Sequence, residues 1–377
     1  MSRTGFTFYE FFAGGGMARL GLGDAWTCLL ANDFDPVKTR TYAANFGEDH
    51  LKAGDVFALT AADLPGQADL AWASSPCQDF SLAGSRAGLA GGRSSAFFGF
   101  WSLMQALSAE GRAPGVIVIE NVTGLLTANG GADFTALCRA LADQGYAFGA
   151  LEIDARLFIP QSRPRVFVIA HRGPAPKGLT GASPFQTRAV SDARDRLPKA
   201  LAKQRRSWRL AAPPPRNTDL IALLEDDAAV AWHDEAATQR WLSLMAPAHR
   251  AAAESRRHGP RSAGTMFRRM RGGEQRVEVR FDGVAGCLRT PRGGSSRQAL
   301  LVAGEGKVST RLLTAREGAR LMGLPEDYRL PAAQSAALKV IGDGVAAPVA
   351  AHLARELIEP LIESLDPGAR IQTLAAE

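Results

Sequence analysis

The 377-residue chain is long enough for two domains or one large one. Its 46% hydrophobic and 22% charged content is that of a globular protein, and no apolar run reaches the roughly 18 residues of a membrane span. The formal charge of +6 is uneven: residues 171–300 hold 24 Lys/Arg against 12 Asp/Glu, a basic middle that points to a polyanionic partner.

In chain order, the first residues lead into a strand-like segment with no sign of a secretory leader. The spacing predicts strands at 7–12, 28–31, 69–73, 116–119 and 166–170. The first ends in Ala13-Gly14-Gly15-Gly16. Phe134, Leu137, Cys138 and Leu141 share one helical face, with Gly145 just past its end. Strand–helix alternation predicts a parallel sheet with helices on both faces and ligands at the strands' carboxyl ends. After His171 prolines multiply and arginines become dense, which predicts a second, smaller, irregular domain over 176–334. A helix near 314–323 opens with a Thr314…Glu317 capping box, and the helical tail 345–362 is expected to return to the first domain. The expected domains are therefore 1–175 with 335–366, and 176–334.

The chemistry starts at the glycine turn, where residues without side chains let backbone approach a ligand. Asp33 ends the second strand, where a carboxylate can accept from ribose hydroxyls, and Phe34 beside it can stack on an adenine. Asp55-Val56 suits an adenine amino group. Together these fit an adenosine-containing cofactor, with NAD and S-adenosylmethionine (AdoMet) both open.

The four cysteines (Cys28, Cys77, Cys138, Cys287) form no Cys-x-x-Cys pair, which argues against a zinc site or a disulfide framework and for a reducing compartment. Cys77, in Ser75-Pro76-Cys77-Gln78, is placed at the mouth of the sheet after a proline that fixes the turn, as a nucleophile would be. Glu120 closes the fourth strand, facing either solvent or the site. Arg163 and Arg165 in Gln161-Ser162-Arg163-Pro164-Arg165 would share a face if both lay in a strand.

In order, the Phe-x-Gly-x-Gly turn, the acidic strand end, Pro-Cys-Gln, Glu-Asn-Val and Gln-x-Arg-x-Arg resemble the motifs of the DNA (cytosine-5)-methyltransferase family of bacterial and phage type. Arg311-Leu312-Leu313-Thr314-Ala315-Arg316-Glu317 and Gly342-Asp343-Gly344-Val345 extend the resemblance to about residue 350. It implies an AdoMet-dependent Rossmann-like catalytic domain with a smaller target-recognition domain. Cys77 would add to C6 of a cytosine flipped out of double-stranded DNA, and the methyl group would pass from AdoMet to C5. Glu120 would bond N3 and the exocyclic amine, and Arg165, with Arg163, would hold O2.

The resemblance assigns Phe12, Gly14, Gly16, Asp33, Phe34, Asp55, Val56, Asp343 and Val345 to the AdoMet pocket. The sequence departs from the family at Gly344, where a serine is usual, and at Asp33 and Asp343, where glutamate and asparagine are commoner. The glycine-rich stretch 81–95 resembles a loop closing over the flipped base. Gln78, Ser81 and Arg93 are expected near the vacated position, with Arg268, Arg269, Arg271, Arg292 and Arg297 on DNA, and Arg205-Arg206 and Arg256-Arg257 on phosphates. The chain is expected to act as a monomer in the bacterial cytoplasm, without metal or membrane. A transfer-RNA cytosine methyltransferase and an inactive DNA-binding relative are the competing readings. A nicotinamide dehydrogenase leaves Pro76-Cys77-Gln78 without a purpose.

Overall fold

The structure is a computed structural model describing residues 5–75, 96–174, 177–289 and 297–365. Its contacts divide into two compact units. One comprises Met1–Ile153, Pro164–Pro213 and Val345–Glu377, and the other Asp154–Arg163 and Pro214–Gly344.

The first unit carries a seven-stranded sheet. Its strands are β1 (Phe6–Phe11), β2 (Trp26–Asp33), β3 (Leu51–Ala53), β4 (Leu70–Ser74), β5 (Val116–Val122), β6 (Ala147–Asp154) and β7 (Pro164–His171), in the spatial order β3-β2-β1-β4-β5-β7-β6. The contiguous apolar runs of β1, β4, β5 and β7 are buried along nearly their whole length, as strands covered on both faces must be. β1 pairs in parallel with β2 and β4, and β4 with β5, but β7 runs antiparallel to β5. The sequence had implied a wholly parallel sheet; an apolar run has no direction, so its orientation was not legible.

The helices of this unit include α1 (Met17–Leu22), α2 (Pro36–Phe46), α3 (Ala96–Ala109), α4 (Ala132–Asp143) and α5 (Arg188–Asp195). α4 is the helix predicted around Phe134–Leu141, with that stripe buried. Gly21 lets α1 lie close to the C-terminal segment: a Cβ there would fall 2.4 Å from the Ala347 carbonyl oxygen.

Residues 177–213 belong with this sheet, not with a second domain beginning at 176. Phe148 N–H donates to Gln204 O at 2.8 Å, and Arg206 N–H to Phe148 O at 2.7 Å. The fully buried Trp208 donates its indole N–H to the carbonyls of Ile169 and Gly149 at 3.0 and 3.2 Å. Arg205, expected on phosphates, donates instead to the carbonyls of Leu197 and Pro198, and Arg206 to that of Lys203. Loops that lack a ladder still need donors for their carbonyls. Arginine supplies them here.

The second unit is more regular than its prolines suggested. It holds the antiparallel sheet β11-β10-β8-β9, made of β8 (Ser262–Arg271), β9 (Glu274–Arg280), β10 (Ala299–Gly304) and β11 (Lys307–Leu312). Gly272 and Gly273, both at positive φ, make the two-residue turn of the β8–β9 hairpin. Around the sheet lie α6 (Glu235–Ser243), α7 (Pro247–Glu254), α8 (Ala315–Arg320) and α9 (Gln334–Asp343). The C-terminal helices α10 (Ala347–Leu353) and α11 (Glu359–Leu365) belong to the first unit, but α9, expected there from residue 335, lies in the second, so the return begins at Val345.

The capping box at Thr314 forms, and Glu317 does more than cap. Its carboxylate meets Arg311 through both oxygens, at 2.5 and 2.7 Å, with both side chains out of solvent. It also accepts from the Glu225 and Thr314 backbones at 3.0 Å each. Burial works to raise the Glu317 pKa, but the hydrogen bonds from Arg311, Thr314 and Glu225 outweigh it and hold the carboxyl below its usual value. Stability from a lowered carboxylate is full above the unfolded-state pKa and is lost as pH falls through the folded one. Removing one partner of a buried pair typically costs about 3–5 kcal/mol. Glu317→Ala is therefore expected to lower the thermal midpoint clearly at pH 7, with the gap to wild type narrowing below pH ~4. Equal midpoints at pH 7 would show that the pair contributes nothing.

Candidate active site

The candidate residues collect at one edge of the sheet. The chain leaves β1 through Phe12, which sits at φ 56°, a left-handed conformation unusual for an aromatic residue. Gly14 and Gly16 follow, both at positive φ, with Gly16 against the Phe46 ring. Asp33, the last residue of β2 and almost fully buried, locks this turn: Oδ2 accepts from Gly14 N–H at 2.9 Å and Oδ1 from Asp35 N–H at 2.8 Å. Burial raises its pKa, opposed by Lys38 and by those two backbone donors. Each oxygen keeps a lone pair, so Asp33 can still accept from a pair of hydroxyls.

One strand further out, Asn32 donates to the carbonyls of Lys52 and Gly54 at 2.7 and 3.0 Å, stapling the end of β3. That sets Asp55, exposed and bonded through Oδ1 to Phe57 N–H at 3.1 Å, beside buried Val56. Phe34 is 71% exposed and Phe57 50%. A large ring left in water at a strand end is worth explaining, and a flat heteroaromatic partner explains it. Phe57 was not picked out from the sequence.

Glu10 was missed altogether. It lies within β1 at 1% exposure, and its Oε2 has no hydrogen-bond partner among the described residues. Burial pushes its pKa up from 4.5 to about 8 against the pull of Arg19. The signal was in the sequence, as an acid inside the apolar run Phe6–Phe12. Beside it Arg19 donates to Tyr42 Oη at 3.0 Å and touches His50, whose pKa is lowered by burial and by Arg19. These side chains, the acceptor capacity of Asp33 and the exposed rings fit an adenosyl group carrying a charged tail.

At the centre of the edge, β4 ends in Ser74 opposite Glu120 of β5. Asn121 donates its amide to Ser75 O and Oγ at 3.1 and 3.2 Å, fixing the chain two residues before Cys77. The antiparallel register sets Val122 across from Arg165, and the Arg165 guanidinium reaches Glu120 at 3.1 Å. The Glu120 side chain is 9% exposed and that of Arg165 17%, so the carboxylate is held in the site and not turned to solvent. Cys77, Gln78, Ser81, Arg93, Arg292 and the 81–95 stretch lie outside the described residues.

Arg163 does not join Arg165. It precedes β7, so strand alternation does not place the two on one face, and it falls in the other unit. Its guanidinium donates to the carbonyls of Gly342, Gly344 and Leu288 at 2.9, 2.7 and 3.0 Å and is 2% exposed. Gln161 behaves alike, donating to Leu321 O at 2.5 Å and accepting from Leu288 N–H at 3.2 Å. Asp343 ends α9 in the second unit, and Val345 is buried in the first.

The Glu10 shift has a measurable sign. An acid raised on folding favours the folded state most below its unfolded pKa and loses that contribution as pH rises through the folded value. With 4.5 moving to about 8, the wild type should lose stability relative to Glu10→Gln between pH ~5 and ~8.5, then run parallel to it. A difference in thermal midpoint that is flat over this window would show an ordinary carboxyl.

The sequence profile of the C-5 cytosine-specific DNA methylase family matches residues 6–359. The chain is similar to the type II methyltransferase M.HpaII of Haemophilus parainfluenzae, 26% identical over 380 residues covering 95% of this chain and 91% of that protein. It is also similar to M.BsuFI of Bacillus subtilis, at 25% identity over 94% of this chain and 73% of the relative. In fold it resembles the S. pombe Dnmt2 methyltransferase, with a TM-score of 0.62, 18% identity, and coverage of 94% of this chain and 99% of that one. With the glycine turn, the acidic strand ends and the Glu120–Arg165 pair at one sheet edge, and the profile spanning nearly all of it, the chain belongs to the C-5 cytosine-specific DNA methylase family.

Proposed function

We propose that this AdoMet-dependent DNA (cytosine-5)-methyltransferase works through Cys77, Glu120 and Arg165, on a cytosine turned out of the duplex. The observation that carries the reading is the Glu120–Arg165 pair, held at 3.1 Å beside the strand end that leads to Cys77. An acid that bonds N3 and the exocyclic amine, next to a guanidinium that bonds O2, grips one edge of the ring. Electron density drawn to that edge makes C6 electrophilic. The Cys77 thiolate adds there, and C5 becomes nucleophilic. Bound AdoMet supplies an electrophilic methyl group. Once C5 is methylated, loss of its proton and of Cys77 restores the aromatic ring. An arginine near the thiol favours the thiolate, which is only a few per cent of a free cysteine at neutral pH.

Phe12, Gly14, Gly16, Asp33, Phe34, Asp55 and Val56 hold AdoMet in this reading, with Asp343 and Val345 as its C-terminal contributors. Asp33 takes the ribose hydroxyls, Phe34 stacks on the adenine and Asp55 takes its amino group. The target is double-stranded DNA, met by the second unit as the target-recognition unit. Of the arginines expected on DNA, Arg268, Arg269 and Arg297 lie on a pocket there, Arg268 also over the Trp241 ring at 4.4 Å, whereas Arg271 is paired with Glu278 at 2.6 Å. Gln78, Ser81 and Arg93 remain proposed contacts near the flipped base, and Arg292 a phosphate contact.

The test uses the full chain, AdoMet and duplex DNA carrying 5-fluorocytosine, whose fluorine cannot leave. A protein–DNA adduct that survives denaturant is expected from wild type and none from Cys77→Ser. An adduct formed equally by Cys77→Ser would remove Cys77 from the chemistry. Separately, Glu120→Gln should lower kcat by about 10²–10⁴-fold while AdoMet still binds. A loss of less than tenfold would leave the acid without a chemical role.

A further inference from the structure

The arginines of the second unit divide by what they already hold. On the β8–β9 hairpin, Arg271, Arg276 and Arg280 are paired with Glu278, Glu274 and Asp282. Arg269, directly across from Arg276, has no carboxylate partner among the described residues, and its guanidinium lies 5.5 Å from the Phe267 ring. It borders a pocket of about 290 Å³ lined also by Arg268, Arg289, Arg297, Gln298 and Leu288, with no acid among its lining residues. Gly286 lets the lining residues Phe267 and Gln298 pack against bare backbone: a Cβ there would fall 2.4 Å from the Phe267 ring and 3.0 Å from Gln298 Nε2.

Four arginines with no counter-charge call for an anion or a row of strong acceptors. The pocket is not uniform, however. Arg269 and Arg289 are exposed at its rim. Arg297 and Gln298 are half-buried, and among the described residues each has a buried orphan: Arg297 Nε has no acceptor and Gln298 Oε1 no donor. Elsewhere the Arg297 guanidinium makes a long bond, 3.4 Å, to Leu313 O. An unsatisfied fork of donors beside an unsatisfied acceptor matches the major-groove edge of a G·C pair, where guanine offers O6 and N7 and cytosine offers an amino group. A phosphate, which has no donor, would leave Gln298 Oε1 unsatisfied.

Resting on the reading of the second unit as the target-recognition unit, we infer that Arg297 and Gln298 read one G·C pair of the target sequence, while Arg269 and Arg289 bind backbone phosphates.

The full chain, with AdoMet, is given a randomised duplex library, and methylated positions are read by bisulfite-type sequencing. Against the wild-type motif, Arg297→Ala is expected to relax one G·C position by about 10- to 100-fold and leave the others. Arg297→Lys should recover little, because an ammonium cannot form the fork. Gln298→Ala should relax the same position, which keeps the test alive if Arg297→Ala does not fold. Arg269→Ala and Arg289→Ala should leave the motif unchanged, weaken DNA binding at every sequence, and each reduce the slope of log affinity against log salt by about 0.9. An unchanged motif in Arg297→Ala and Gln298→Ala, or relaxation at two different positions, overturns the base assignment; so does a changed motif in the rim variants. If these variants weaken binding without altering the motif, only this assignment fails. If none of them alters DNA affinity or motif, the recognition role of the second unit fails with it.

Discussion

The geometry depends on one strand running the wrong way. In a sheet whose measured central pairings are otherwise parallel, ligands meet the carboxyl ends, and only residues near those ends can reach them. β7 is antiparallel to β5, so its amino end arrives at the same edge, and Arg165 comes down beside Glu120. A parallel β7 would have carried that guanidinium to the far side of the sheet. Neither charge is stable there alone: each is largely out of water, and removing one would leave the other uncompensated. The pair is thus a constraint on the fold and, as proposed, the grip on the substrate ring.

A second constraint acts on the residues just before that strand. Gln161 and Arg163 saturate carbonyls at Leu288, Leu321, Gly342 and Gly344, all within the second unit. Two residues later the chain belongs to the first unit, and Arg165 faces Glu120. A five-residue motif therefore divides its arginines between two units, Arg163 on backbone carbonyls and Arg165 on Glu120. Spacing alone suggested that they act together, because a period of two has meaning only inside a strand and β7 begins at Pro164.

This marks the limit of what the sequence could reveal. Uninterrupted apolar runs made β1, β4, β5 and β7 readable, and the helix at Phe134–Leu141 announced itself by period. β6 was not readable, since Ala147-Phe148-Gly149-Ala150 is built of small residues that leave space for Trp208 and the Arg206 backbone. Of the β8–β9 hairpin only a short strand at 277–281 was readable; arginines stand outward on both strands near the tip, erasing the alternation that marks a half-buried strand. Counting charge found the basic middle correctly but overstated its availability. Arg205 and Arg206 serve carbonyls, and Arg256 covers the Phe281 ring at 4.3 Å. Charge is visible in a sequence; whether it is already neutralised is not.

The acids of the sheet edge show why residue type underdetermines role. Glu10, Asp33, Asp55 and Glu120 sit at or near the ends of neighbouring strands. Burial outweighs the pull of Arg19 and keeps Glu10 protonated near neutrality. Asp33 is nearly as buried, but two backbone N–H groups hold its oxygens in place and leave lone pairs for hydroxyls. Asp55, in water, can be no more than an acceptor at the rim. Glu120 differs from all three in having a guanidinium at one oxygen and the end of β4 beside it. Environment, not identity, separates them. An exchange of neighbours would therefore do more harm than an exchange of Asp for Glu.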